Sequence, residues 1–311
     1  MADLQQKPIT SSIPNKAGLK TTTIPESSLS TTKPAKIDPR PKPKVEILEL
    51  KDYKKAARTL YQAFAEDKVA QYCSRHLEKD PELRRKCDTK LLETFVYSYV
   101  TEGVVLVVKG DANTNGDGVD TNAADDDDST FETVAIWATP ESEVETTTPL
   151  DNPGFAEFAS MTGPEGCKRV FGQLFNVLQD KCDEVMGVDV EGKDIQNLWT
   201  LVYIGSTPAS RGKGNVRAMF EYMAERFIDP VAGIGYLESS NLTNTSIYEK
   251  FGFKPVLDVN FNGDLAVGDD DEPDHCRMDI MVRGVRGGKW KYLDDARRKF
   301  NYVVPDYSKL Q

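Results

Sequence analysis

The stretch from Leu201 to Phe227, LVYIGSTPASRGKGNVRAMFEYMAERF, restricts the fold more than any other part of this chain. The strand that opens it, LWTLVYIG at 198 to 205, is too apolar to have one face in water. Something must therefore cover both sides of the sheet that holds it. After a Pro-containing turn and the sequence RGKG, Val216, Met219, Phe220, Met223 and Phe227 recur at the spacing of an amphipathic helix. A doubly covered strand running into a helix is a unit of a layered α/β structure.

The rest of the chain extends that pattern. VEILEL, starting at Val45, reads as a short strand, and Tyr53, Ala56, Ala57, Leu60, Tyr61 and Phe64 fall at helical spacing. A second helix is expected over roughly 80 to 102. GVVLVVKG at 103 to 110 and TVAIWAT at 133 to 139 are rich in branched and aromatic residues, as strands are. Helical spacing returns at Val170, Phe171, Leu174, Phe175 and Leu178. A strand around Tyr236 to Ser239, a helix around Thr243 to Phe251, and strands near 253 to 260 and 276 to 283 complete a three-layer α/β or α+β domain.

With 311 residues the chain suits one enlarged domain or a domain with tails. Residues 1 to 44 hold eight basic and three acidic residues, so the formal net charge of -11 is the sum of a +5 segment and a -16 body. An acidic body disfavours generic affinity for nucleic acid or anionic lipid. The basic segment, rich in Pro, Ser and Thr, reads as a disordered tail. It faintly resembles a mitochondrial presequence, but Arg40 is its only arginine and its prolines oppose an amphipathic helix, so a cytoplasmic location is expected. No stretch approaches the roughly 20 apolar residues that span a bilayer. The expected division is a tail at 1–44, a body at 45–285 with a loop insertion at 110–130, and an extension at 286–311.

Five cysteines without CxxC spacing indicate neither a disulfide framework nor a thiolate zinc site, and a reducing compartment fits them. With only His76 and His275, far apart in sequence, no histidine metal cluster is expected and a histidine-dependent catalytic triad has just two candidates for its base. The aspartate-rich segment at 111 to 128 sets Asp111, Asn113, Asn115 and Gly116 at the spacing of an EF-hand loop. Asn122 then stands where a bidentate glutamate is required, and no helices flank the loop. No metal is expected.

The RGKG turn carries the chemistry. Gly212 and Gly214 let the backbone turn sharply and approach a ligand, and the first free N–H groups of the following helix suit a phosphate. Arg211, Lys213 and Arg217 add charge fit for a pyrophosphate. A basic helix start after an ordinary loop is the plainer reading of the same residues. Neither GxxxxGK[ST] nor GxGxxG is present, and the turn follows a late strand rather than the first.

A strand, then [Q/R]xxGx[G/A], then a helix resembles the coenzyme A pyrophosphate loop of the GNAT N-acetyltransferases. Arg211 and Gly214 take its first and fourth positions, and Val216 departs from the usual Gly or Ala at the sixth. Because such a loop contacts phosphate mainly through backbone N–H groups, the valine side chain is expected to point away from the cofactor. YLESSNLTNTSIYEKFGF at 236 to 253 supplies a second resemblance, through its YEKFGF ending. TVAIWATPES at 133 to 142, FAEFASMTG at 155 to 163 and LESSNLTNTSIYEKFGF at 237 to 253 look like the puromycin N-acetyltransferase branch of that family. The likeness covers roughly 45 to 285.

The resemblance implies a mixed, mostly antiparallel sheet flanked by helices, acetyl-CoA as co-substrate, and direct attack by a primary amine of a small molecule. It assigns the cofactor loop to Arg211, Gly212, Lys213, Gly214, Asn215, Val216 and Arg217, and protonation of the leaving thiolate to Tyr248. It also gives Asn244 a contact with the pantetheine or pyrophosphate arm. Backbone N–H groups at Ile204, Gly205 and Ser206 would polarise the thioester carbonyl. Glu238 is the candidate base, directly or through water, or else a strand glutamate paired with a basic neighbour. Trp137 either lines the acceptor pocket or is plain core. Two other functions stay open: a non-catalytic coenzyme A binding or interaction module, and a protein-lysine acetyltransferase drawing basic peptides to the acidic body. The C-terminal run WKYLDDARRKFNYVVPDY packs on the domain or binds a partner. Oligomeric state and acceptor identity are left open.

Overall fold

The apolar strand at the centre of the sequence pattern is also central in space. In a computed structural model of the chain, residues 42–110, 129–142, 144, 153–187, 197–261 and 276–303 are described. Most of the basic tail and the aspartate-rich 111 to 128 segment lie outside them. The strands are β1 (Val45–Ile47), β2 (Gly103–Val108), β3 (Thr133–Ala138), β4 (Leu198–Ser206), β5 (Ile234–Ser239), β6 (Phe253–Phe261) and β7 (Cys276–Arg283). They form one sheet in the order β1-β2-β3-β4-β5-β7-β6. All neighbours are antiparallel except β4 and β5, which run parallel.

Helices cover both faces, as the apolar β4 requires. One face carries α1 (Tyr53–Ala63), α2 (Lys68–Ser74), α3 (Pro81–Glu102), α4 (Pro153–Cys167) and α5 (Asn176–Met186). The other carries α6 (Asn215–Met223) and α7 (Leu242–Tyr248). Two separate apolar clusters result. Val105, Val107, Ile136 and Tyr236 point into the first, and Leu106, Trp137, Leu201 and Leu237 into the second. The alternation along β2, β3 and β5 is the two-residue period of a pleated sheet.

Local signals explain the helix ends. Asp80 accepts a hydrogen bond from Leu83 N–H and Pro81 opens α3, which stops at Gly103. Asp67 caps α2 by accepting from Val69 and Ala70 N–H. The sequence reading missed α2, a short helix with little periodic signal. α4 is two pieces broken at Gly163, whose φ is 71°, with Pro164 next. The helical spacing at 170 to 178 is realised as a π-helical stretch, Lys168–Phe175, continuing into α5. Within the described residues the start of the C-terminal run packs back on the domain: Trp290 and two residues of α8 (Leu293–Lys299), Leu293 and Ala296, are buried in the first cluster. Among the described residues no helix is long and apolar enough to cross a membrane.

One irregularity matters for the site. β4 and β5 pair from Leu198 opposite Ile234 to Leu201 opposite Leu237 and then part. Beyond that point β4 follows β3 and β5 follows β7. The parting coincides with a register shift: Ile136 lies opposite Tyr203 but Trp137 opposite Leu201, so Val202 is an extra residue on β4. Such a bulge bends its strand and sharpens the twist.

Candidate active site

Where β4 and β5 part, a cleft of about 1350 Å³ runs through the sheet. Tyr248 belongs to the α6 and α7 side and Tyr236 to the α1 to α5 side, yet both line this cleft. A continuous sheet would keep them apart.

The α6 side is built around the RGKG turn. Gly212 and Gly214 have φ of 76° and 89°, a left-handed conformation that side chains disfavour, and an added Cβ at either would meet nothing within 4 Å. Gly214 is the N-cap of α6 and no side chain caps the helix. The first-turn amides of α6 therefore remain donors at the positive end of the helix dipole. Arg211 and Arg217 line the cleft with them, and Arg217 is loosely paired with Glu221 at 3.5 Å. Val216 also borders the cleft and is partly buried against the second apolar cluster.

The turn is held by a residue that local pattern did not point to. Glu132, just before β3, accepts hydrogen bonds from Lys213 Nζ at 2.6 Å and from Asn215 Nδ2 at 2.9 Å. Asn215 is buried and also donates to Thr133 Oγ1 at 3.0 Å, while Thr133 Oγ1 and Ser206 Oγ share a hydrogen bond of 2.8 Å. Partial burial pushes the Glu132 pKa up, but the hydrogen bonds from Lys213 and Asn215 hold it below the ordinary carboxylate value. Lys213 does not line the cleft, because Glu132 draws it to the base of the turn. Its ammonium is thus engaged by Glu132, which leaves only the backbone of Lys213 to serve the turn.

Tyr248 ends α7 with its ring edge-on to Phe220, centroids 5.8 Å apart. Burial raises its pKa above the ordinary tyrosine value, and the nearby Asp67 carboxylate adds to the rise. Its hydroxyl is thus a firmly held proton. Asp67 reaches the site from the N-cap of α2 and accepts from Ser240 Oγ at 2.5 Å, which ties α2 to the end of β5. Glu238 lies half-buried on β5, opposite Ile280 and on the same face as Tyr236. Ile204, Gly205, Ser206 and Asn244 line the same cleft.

The α1 to α5 side of the cleft is mostly apolar. Phe95, Phe155, Phe175 and Tyr203 make edge contacts at 5.3 to 5.4 Å around Phe95 and form part of its wall. Asp88, at the α2 end, is pushed up to about 6 by burial, against a hydrogen bond from Ser74 and the charge of Arg84. Trp137 is not part of this wall. It is 1% exposed on the opposite face, edge-on to Phe220 at 5.8 Å. The acceptor-pocket reading of Trp137 is corrected to core, because the pleat turns it toward α6.

The structure thus brings all the sequence-assigned site residues onto one cleft except Lys213 and Trp137. Sequence reasoning missed Glu132, Asp67, Tyr236 and the aromatic wall. Only Asp67 had a local signal, as a helix-capping aspartate before an apolar run.

No protein-family model matches the chain. An uncharacterized N-acetyltransferase of Schizosaccharomyces pombe is 31% identical over 206 residues, covering 66% of this chain and 72% of the relative. Among solved structures, a histone acetyltransferase HPA2 and related acetyltransferase from Corynebacterium glutamicum is 17% identical, covers 78% of this chain and 95% of its own, and superposes with a TM-score of 0.45. Arylalkylamine N-acetyltransferase 2 from Aedes aegypti is 13% identical, with coverage of 78% and 98% and a TM-score of 0.46. With its sheet, its parted parallel strands and its fission-yeast relative, the chain belongs to the GNAT N-acetyltransferase superfamily and is an acyltransferase.

Proposed function

We propose that this cleft transfers the acetyl group of acetyl-CoA to the primary amine of a small molecule. The observation that carries the reading is the parting of β4 and β5 after Leu201 and Leu237, which joins the RGKG turn, Tyr248 and Glu238 in one cavity. The open, left-handed glycines and uncapped α6 fit a pyrophosphate, so Arg211, Gly212, Gly214, Val216 and Arg217 would hold the cofactor. When bound, acetyl-CoA supplies the thioester whose acyl carbon the amine attacks.

The chain's own residues then manage position and protons. β4 continues past the parting along β3 alone, so Ile204 to Ser206 present backbone to the gap, where an N–H can polarise a carbonyl. Free amines are largely protonated near neutrality, with ordinary pKa values of about 8 to 10.4, and Glu238 would take that proton directly or through water. Tyr248, kept protonated by burial, would return one to the departing thiolate. The aromatic wall around Phe95 favours an amine carried on an apolar body. Puromycin belongs in the acceptor panel because of the stretches at 133 to 142, 155 to 163 and 237 to 253.

The test is acetyl-CoA-dependent thiol release across small amines, basic peptides and puromycin. Release with a small amine supports the reading. Binding of acetyl-CoA without release for any acceptor would make the chain a binding module, and release with peptides alone would make it a protein acetyltransferase.

A further inference from the structure

Among the described residues, five carry a buried side-chain nitrogen or oxygen without a hydrogen-bond partner: His76, Ser142, Trp137, Trp199 and Tyr236. Of these only Tyr236 lines the cleft. Its side chain is fully buried, yet its hydroxyl has no partner. Buried polar atoms are nearly always satisfied, so an orphan on a cavity wall marks a position where a bound molecule supplies the missing bond.

The surroundings say which molecule. Tyr236 and Glu238 are two residues apart on β5 and so share one face. The Glu238 carboxylate and the Cys182 thiol of α5 lie beside the hydroxyl and act on it electrostatically. Both β5 residues lie at the parting of β4 and β5, within the cleft that Tyr248 also lines. We propose that the Tyr236 hydroxyl and the Glu238 carboxylate together seat the acceptor nitrogen, each accepting one N–H of a neutral primary amine. The nitrogen lone pair is then left to face the gap. An alcohol or a secondary amine has one hydrogen too few to engage both oxygens. The seat therefore selects primary amines, with Tyr236 as the positioning partner of Glu238. Burial and the adjacent Glu238 charge both raise the Tyr236 pKa, so the phenol stays neutral and does not compete for the proton.

This inference rests on the acetyl-transfer reading, and its test separates the two. Phenethylamine and N-methylphenethylamine are compared as acceptors for the wild-type chain and Tyr236→Phe. The wild type is expected to prefer the primary amine, and Tyr236→Phe to raise its KM about five- to tenfold, the worth of one hydrogen bond. The preference for the primary amine should shrink by the same factor, with acetyl-CoA affinity unchanged and no fall in Tm. Unchanged amine KM and unchanged preference would overturn the seat and leave acetyl transfer standing. A fall in Tm without a kinetic change would show that the hydroxyl serves the fold, and would also overturn it. Absence of wild-type turnover with every amine would remove the function and the seat together.

Discussion

The two sides of the sheet are encoded differently. The α6 and α7 side of the cleft is drawn from a nearly continuous stretch, Leu201 to Phe253, in which strand, turn, helix, strand and helix follow one another. The α1 to α5 side is assembled from β5 and from helices spread over residues 53 to 186. A ligand site built from consecutive backbone leaves a short-range signature in sequence. A pocket walled by side chains from distant helices leaves only the apolar spacing that any core would show.

That contrast can be broken from either side. The largest effect is expected from Tyr248→Phe, which removes the hydroxyl proposed to protonate the thiolate and should lower kcat about 100-fold or more with little change in acetyl-CoA binding. Equal losses in binding and turnover would assign Tyr248 to packing against Phe220 instead. Glu132→Ala should release Lys213 and Asn215, loosen the RGKG turn and raise the acetyl-CoA KM about tenfold while the amine KM stays put. A change in the amine KM would mean that the two sides are coupled through β3.

Asp88 tests the α1 to α5 side through pH. Its folded pKa of about 6 lies above the ordinary 3.8, so the folded chain holds the proton more tightly than the unfolded one. Its contribution to stability is therefore complete below about pH 4 and declines as pH rises to about 6. Asp88→Asn should flatten that slope and add about 1 kcal/mol at pH 7, read from urea unfolding at several pH values. An unchanged slope would show that Arg84 and Ser74 fully offset the burial. The smallest effect belongs to Val216→Ala, expected to leave acetyl-CoA affinity within about twofold because the side chain packs on the core.

The fold itself was largely legible. The helix expected at 80 to 102 is α3 at Pro81–Glu102, bounded by an aspartate cap, a proline and a glycine that are all local signals. The central strand and the turn after it were equally plain, since an unbroken apolar run and two closely spaced glycines need no tertiary context. Val202 as a bulge was not legible, because an extra residue is defined only against β3. Glu132 was hidden for the same reason, being 81 residues from Lys213 and 83 from Asn215. Trp137 stayed open between core and acceptor pocket because strand pattern gives alternation but not which face meets the cleft.

The central claim is that β4 and β5 part to admit acetyl-CoA against the α6 turn. Amide hydrogen exchange with and without acetyl-CoA tests it directly. The account predicts that the cofactor slows exchange at Val202 to Ser206 and at Gly212 to Arg217, and leaves β2 and α3 as they were. Protection elsewhere, with these two stretches unaltered, would contradict it.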